Sequence, residues 1–193
     1  METYELLHGA GQLYVAPVGE AFPDLDVTPA GNWVALGETK EGVTVTFDES
    51  IESIRVDQET GAVKAIRAEE DIMIETALAI GTLENLSYVI NGNSVTDTAA
   101  GSGTIGTREI ALYRGGVVQE FAFLFRATSP YGATYPAQYE CPRGYFEGPG
   151  GLEYMKDDTM VIPAIFHVLV DLTAATDDDK FGKLIAQDAD ALP

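Results

Sequence analysis

Polar and apolar positions alternate with a period of two over much of this chain, and the longest such stretch runs from Glu38 to Ile80. In its first half Val43, Val45, Phe47 and Ile51 fall on odd positions, with Glu49 the exception. Thr44, Thr46, Asp48, Ser50 and Glu52 fall on even ones. Successive side chains of a strand point to opposite faces, so this half reads as a strand with one apolar and one wet face. In the second half Ile72, Ile74, Leu78 and Ile80 share a face with Thr76. Glu69, Asp71, Met73 and Glu75 share the other, continued by Ala77 and Ala79. The two halves predict a hairpin whose wet face is acidic and not merely polar. Its centre holds the turn-forming run Asp57, Gln58, Glu59, Thr60 and Gly61. That connection is longer than a tight hairpin needs, so 55–67 is expected to project as an arm; the plain alternative is an ordinary surface tip.

The same reading extends along the rest of the chain. Leu13 to Ala16 predicts a first strand stopped by Pro17, and 19–31, with Pro23 and Pro29, predicts a loop. Trp33 to Leu36 predicts a short strand ended by Gly37, with Trp33 as a core anchor. Thr82 is placed as the N-cap of a helix of about ten residues, with Glu84 in its first turn. Leu83, Leu86, Val89 and Ile90 lie on one side, and Gly92 caps the end. Asn93 to Thr107 reads as a flexible loop or weak edge strand; its glycines lack the strand–glycine–helix context of a phosphate loop. Ile110, Leu112 and Tyr113 begin another strand, with Gly115–Gly116 as a hairpin turn. Val117 to Thr128 follows, with Phe121, Phe123 and Phe125 on one face, and reads as a central strand covered on both sides. Ser129 to Arg143 reads as a tyrosine- and proline-rich loop, and Gly144 to Met155 as a strand interrupted by glycines. Met160 to Asp171 is a last strand in which Pro163 marks an edge, a bulge or an open end. About 174–193 reads as an acidic tail with a short helix near 181–187. Many strands and one good helix predict a mainly β fold, a sandwich or barrel with a flanking α-helix and a long hairpin arm, in a single domain over 1–193.

Charge and chemistry narrow the function. The 193 residues carry 31 acidic and 11 basic side chains, a formal net charge of −20. Such a chain is poorly suited to gripping nucleic acid by its phosphates. A single cysteine, Cys141, excludes an internal disulfide, and the N-terminus does not read as a signal peptide. No apolar run reaches the roughly 20 residues of a membrane helix. His8 and His167 are the only histidines; His8 lies near the N-terminus and His167 reads as a structural strand residue. No nucleophile motif, zinc set or EF-hand spacing is present, and Asp177, Asp178 and Asp179 read as solvated tail acids. The expectation is no enzyme, no cofactor and no metal. A row of carboxylates has another use. If strands of several subunits close into a ring, such faces line a channel that repels phosphate and lets DNA move through with little to hold it.

The order of elements resembles that of phage tail tube proteins, the major tail proteins of long non-contractile tails. The resemblance is carried by GQLYVAP at 11–17, GNWVALG at 31–37 and GVTVTFDESIESIRVDQETGAVKAI at 42–66. It continues in IMIETALA, GTLENLSYVI at 81–90, and VIPAIFHVLVD at 161–171 followed by FGKLIA. It covers most of the chain, through diffuse motifs. It implies hexameric rings stacked into a tube around a tape-measure protein, later a conduit for genomic DNA, with tail terminator and tail-tip proteins as further partners. It implies a subunit made in host cytoplasm and located in the virion. By that analogy the arm, with Arg55, Asp57, Gln58, Glu59, Lys64 and Arg67, contacts the neighbouring ring. Asp48, Glu52, Glu69, Asp71 and Glu75 then line the lumen. The inner tube of a contractile injection or secretion system is the alternative of related architecture. An acidic β-sandwich binding module using Tyr131, Tyr135 and Tyr139 is the alternative of another class.

Overall fold

The structure, a computed structural model, describes residues 8–132, 134–152, 154, 156 and 160–190, with side chains from 11 onward. The ring of His8, the N-terminal stretch before it, Met155 and the last three residues of the tail lie outside the described residues. Among those described, the strands in chain order are β1 (His8–Pro17), β2 (Val34–Gly37), β3 (Thr39–Arg55) and β4 (Ala62–Leu78), then the helix α1 (Leu83–Ile90). There follow β5 (Val95–Thr98), β6 (Thr107–Ile110), β7 (Phe121–Thr128), β8 (Pro136–Glu147), β9 (Ile162–Val168) and β10 (Lys183–Ala186). All the pairings are antiparallel.

One sheet has the order β2-β1-β7-β8-β9-β4-β3, with β10 added to β8; β5 and β6 form a separate pair. β2 and β3 stand at opposite ends of that order, yet only Glu38 separates them in the chain. The two edges of the sheet therefore approach each other at this corner, and the sheet curls back on itself as a mainly β sandwich or barrel requires. Gly37 makes the corner possible. It sits at φ 82°, and a Cβ there would run into the Ile80 side chain. The Glu38 carbonyl accepts from Ala79 N at 2.8 Å, which ties the corner to the end of β4.

The expected alternation puts the core inside this curl. Leu13, Val15, Phe123, Phe166, Ile74 and Leu78 pack there with Leu36 and Val89. The Phe123 and Phe166 rings stack at 4.6 Å, and Phe146 meets Phe166 edge-on at 5.1 Å. Helix α1 covers the core with Val89 and Ile90. Thr82 Oγ1 accepts from Asn85 N, and Gly92, at φ 69°, donates to Ser87 O at 2.7 Å, so the caps are those expected on a helix of eight residues. On the outer face, Trp33 and Phe22 cover Tyr14, Ala122 and Leu124. β7 is internal and buried on both faces over Phe121–Phe125, as its composition predicts. Pro163 sits where β9 pairs β4 but lies beyond the last pairing with β8, the open end its ring requires.

Five expectations change. No strand continues past Ile110, and β7 begins at Phe121, not Val117. The side-chain amides of Asn91 and Asn93 take the carbonyls of Ala111, Tyr113, Arg114 and Val117, so this backbone is satisfied without a ladder and Gly115–Gly116 is no hairpin turn. The loop expected at 129–143 ends early, because β8 starts at Pro136 and runs through to Glu147. Its alternation was hidden by Gln138 and Glu140, polar residues that are buried, and by Pro142, which falls at a register shift. The helix expected near 181–187 is the strand β10, preceded by a short 3-10 turn at Asp177–Asp179. β8 has an unpaired edge where β9 stops, and β10 fills it from Ala137 to Glu140. Within Asn93 to Thr107 the weak-strand reading holds for β5, paired with β6.

Candidate functional site on the projecting hairpin

β3 and β4 are 17 residues each, and their register explains what the hairpin presents. Near the body, Glu41 (φ 73°) and Gly42 (φ 83°) form a bulge that redirects β3 away from the corner. Thr76 Oγ1 fastens it by donating to Gly42 O at 2.8 Å. β9 supports β4 only from Met73 to Leu78. Beyond Phe47 and Ile72 the two strands continue alone to Arg55 and Ala62, a projection of about 25 Å at ~3.3 Å per residue. At the tip Glu59 N donates to Val56 O, and the Arg55 guanidinium to Thr60 O at 3.3 Å.

Residues directly across an antiparallel ladder share a face. Glu75 stands opposite Thr44, Asp71 opposite Asp48, Glu69 opposite Ser50, and Glu52 opposite Ile66. Asp48, Glu52, Glu69, Asp71 and Glu75 therefore lie on one face, as the alternation predicts. The alternation misses a second bulge, at Ala68, where the register steps from Ser50–Glu69 to Ile51–Arg67. Strict alternation would place Arg67 among these acids; the bulge turns it to the other face. There it meets Glu49 at 2.8 Å and Glu70 at 3.6 Å, which stand directly opposite each other. One opposed acid pair is thus bridged by a cation. The other, Asp48 with Asp71, is not: among the described residues no cation pairs with any of the five carboxylates. Like charges directly opposite on a sheet are destabilising, so this face carries a cost that an isolated hairpin has no means to offset.

Toward the tip the character changes. Lys64 lies opposite Ile54 on the acidic face, next to Ile66, while Asp57, Gln58 and Glu59 belong to the turn. Phe47 is 68% exposed, and Ile51, Ile54, Val56, Val63 and Ile66 are exposed as well. A free two-stranded ribbon is marginal in water, and this one leaves large apolar side chains uncovered on both faces.

Other candidates are committed to structure. The His167 ring stacks on Tyr145 at 5.1 Å, and its Nε2 lies 2.9 Å from Glu147. Cys141 is buried, and desolvation pushes its thiol up to about 12, far from the range of a nucleophile. Tyr139 stacks on Phe125 at 5.9 Å and packs against the core while Tyr131 is exposed, so the tyrosines are divided between core and surface. Among the described residues no group of three or more His, Cys, Asp or Glu is placed to hold a metal, and no helix is long and apolar enough to cross a membrane.

The sequence reading missed a buried polar cluster beneath the loop before Trp33. Arg126 Nε donates to Gln138 Oε1 at 2.9 Å, and its other nitrogens donate to Asp24 O and Val27 O. Gln138 Nε2 donates to Pro23 O and to Glu140 Oε1. Burial raises the Glu140 pKa above the ordinary glutamate value and lowers that of Arg126. These residues hold the loop on the sheet. Their signal in the sequence, three polar residues in strand-like runs, cannot be told from a wet face without the fold. No protein-family model matches this sequence, and no curated protein matches it.

Proposed function

We propose that this chain is a structural subunit that assembles with copies of itself into stacked hexameric rings, forming a tail tube of the long non-contractile phage type. The observation that carries this reading is the hairpin. It extends about 25 Å beyond any supporting strand, exposes apolar side chains on both faces, and bears five carboxylates without a cation partner among the described residues. A hairpin built this way is completed by neighbours. Rings closed through β3 and β4 cover the exposed β3 edge. They also turn Asp48, Glu52, Glu69, Asp71 and Glu75 toward a common lumen. A wall of carboxylates repels phosphate, so DNA passes without being held. The tip, from Arg55 through Asp57, Gln58 and Glu59 to Lys64 and Arg67, contacts the next ring. In this role the partners are the tape-measure, terminator and tail-tip proteins, the location is the virion, and no catalysis is required.

Electron microscopy of the purified chain over a range of concentration and salt tests the proposal. The expected result is rings or hollow tubes with a lumen of roughly 20 Å or more, the breadth that B-DNA needs. High salt favours assembly by screening the charge of −20 on each copy. Monomers at every concentration and salt, with or without preformed fragments as seeds, overturn it.

A further inference from the structure

Where the hairpin leaves the body, its apolar face does not close against the sheet. A cavity of about 150 Å³ opens there, lined by Val45, Phe47, Ile72, Tyr139, Phe181 and Leu184. A space of this size takes a benzene-sized group, the scale of one aliphatic side chain. Its lip is exposed at Phe47 and Leu184. Two residues further out on the same face stand Glu49 and Glu70, with Arg67 the cation between them, so this pair has one acid in excess; Lys183, which also lines the cavity, is paired with Asp179 at 3.5 Å.

The complement to this groove lies at the other end of the same hairpin. Ile54 and Ile66 are exposed there, and Lys64 lies directly across from Ile54. In a chain with 31 acids and 11 bases, neither Arg55 nor Lys64 has a carboxylate partner among the described residues. The hairpin is electrically polarised. With Arg67 left to the lip acids that it bridges, the outer part, 53–66, holds two cations against two acids, whereas 38–52 and 67–80 hold nine acids against two cations. Tip and groove are separated along one paired ribbon by about 25 Å, so a tip cannot reach its own groove without unzipping the ladder.

We propose that the groove at the hairpin root receives the hairpin tip of a second copy. Ile54 enters the cavity, and Lys64 meets Glu49 and Glu70 at its lip. The inference rests on the self-assembly reading above and adds to it the receiving site. Because the two surfaces differ, the contact is head-to-tail and propagates without closing on itself. It occupies the apolar face of the root and leaves the acidic face clear.

The test mixes one chain carrying Ile54→Cys with another carrying Leu184→Cys under mild oxidation. Both chains also carry Cys141→Ser, because Cys141 lines the same cavity and would otherwise face the incoming Ile54→Cys thiol. The expected result is a mixed disulfide in several-fold excess over either homodimer. Phe47→Asp in both chains should remove that excess while leaving the thermal unfolding of the monomer unchanged. Tubes that form while the mixed disulfide stays at the level of the homodimers overturn the tip-in-groove contact and leave the tube reading standing. So do tubes indifferent to Phe47→Asp. Absence of both tubes and disulfide overturns the two together.

Discussion

β4 leads two lives. From Ile72 to Leu78 it is a core strand: Ile74 is 1% and Leu78 0% exposed, and β9 pairs beside them. From Ala62 to Asp71 every residue is exposed and β3 is its only neighbour. Both parts carry large aliphatic residues, Ile72, Ile74 and Leu78 in the inner one and Val63 and Ile66 in the outer one. What differs is whether a second layer arrives to bury them. The body satisfies its apolar residues within one chain; the hairpin carries the same kind of residue and leaves it unmet. Burial is what turns alternation into stability, so the two regions should respond to the same mutation in opposite ways.

The largest separation is expected from one phenylalanine in each region. Phe166→Ala empties a stacked core position and should lower unfolding stability by about 3–5 kcal/mol, read by chemical denaturation of the monomer. Phe47→Ala, at an exposed position, should change monomer stability by under about 0.5 kcal/mol and show its effect in assembly instead. Equal losses in the two variants would mean that the hairpin root is packed as tightly as the core, and the contrast would fail.

A smaller effect sharpens the boundary between the regions. Asn85 is buried in α1, and its Nδ2 donates to Leu36 O and Ile80 O, both at 2.9 Å. It thereby clamps the end of β2 and the second residue after β4 at the corner where the sheet edges meet. Asn85→Ala strands the buried Leu36 carbonyl and the part-buried Ile80 carbonyl and should cost about 1–3 kcal/mol. Amide exchange should speed up first around residues 36–39 and 78–80 while the β7–β8 ladder stays protected. Uniform loss of protection would show that the corner has no separate opening.

The smallest effect comes from a buried charge in the body. Desolvation raises the Glu140 pKa, opposed by the Gln138 hydrogen bond and by the Lys183 and Arg126 charges. A carboxyl whose folded pKa lies above its unfolded one gives stability that is present below the ordinary value and falls as pH rises through the raised one. Glu140→Gln removes that dependence, and its amide oxygen can still accept from Gln138 Nε2. The variant should melt slightly higher than the parent near pH 8, and the gap should close as pH falls below the ordinary glutamate pKa. A gap that is the same at every pH would show that the burial of Glu140 sets no pH dependence.

Local pattern was enough for every element whose environment matched its chemistry. The long hairpin, the helix with its Thr82 and Gly92 caps, the doubly buried β7 and the open end at Pro163 were legible, because alternation, capping and proline geometry act within a few residues. The common face of Asp48, Glu52, Glu69, Asp71 and Glu75 was legible for the same reason. Only the tertiary structure decided the rest. Gln138 and Glu140 are polar yet buried, which erased the pattern of β8 until Arg126 and the loop carbonyls supplied their partners. β10 became a strand because β8 had an edge to offer. The bulge at Ala68 moved Arg67 from one face to the other, and so decided which acids are bridged and which are left facing one another. Each of these depends on groups far apart in the chain, whose meeting no local periodicity records.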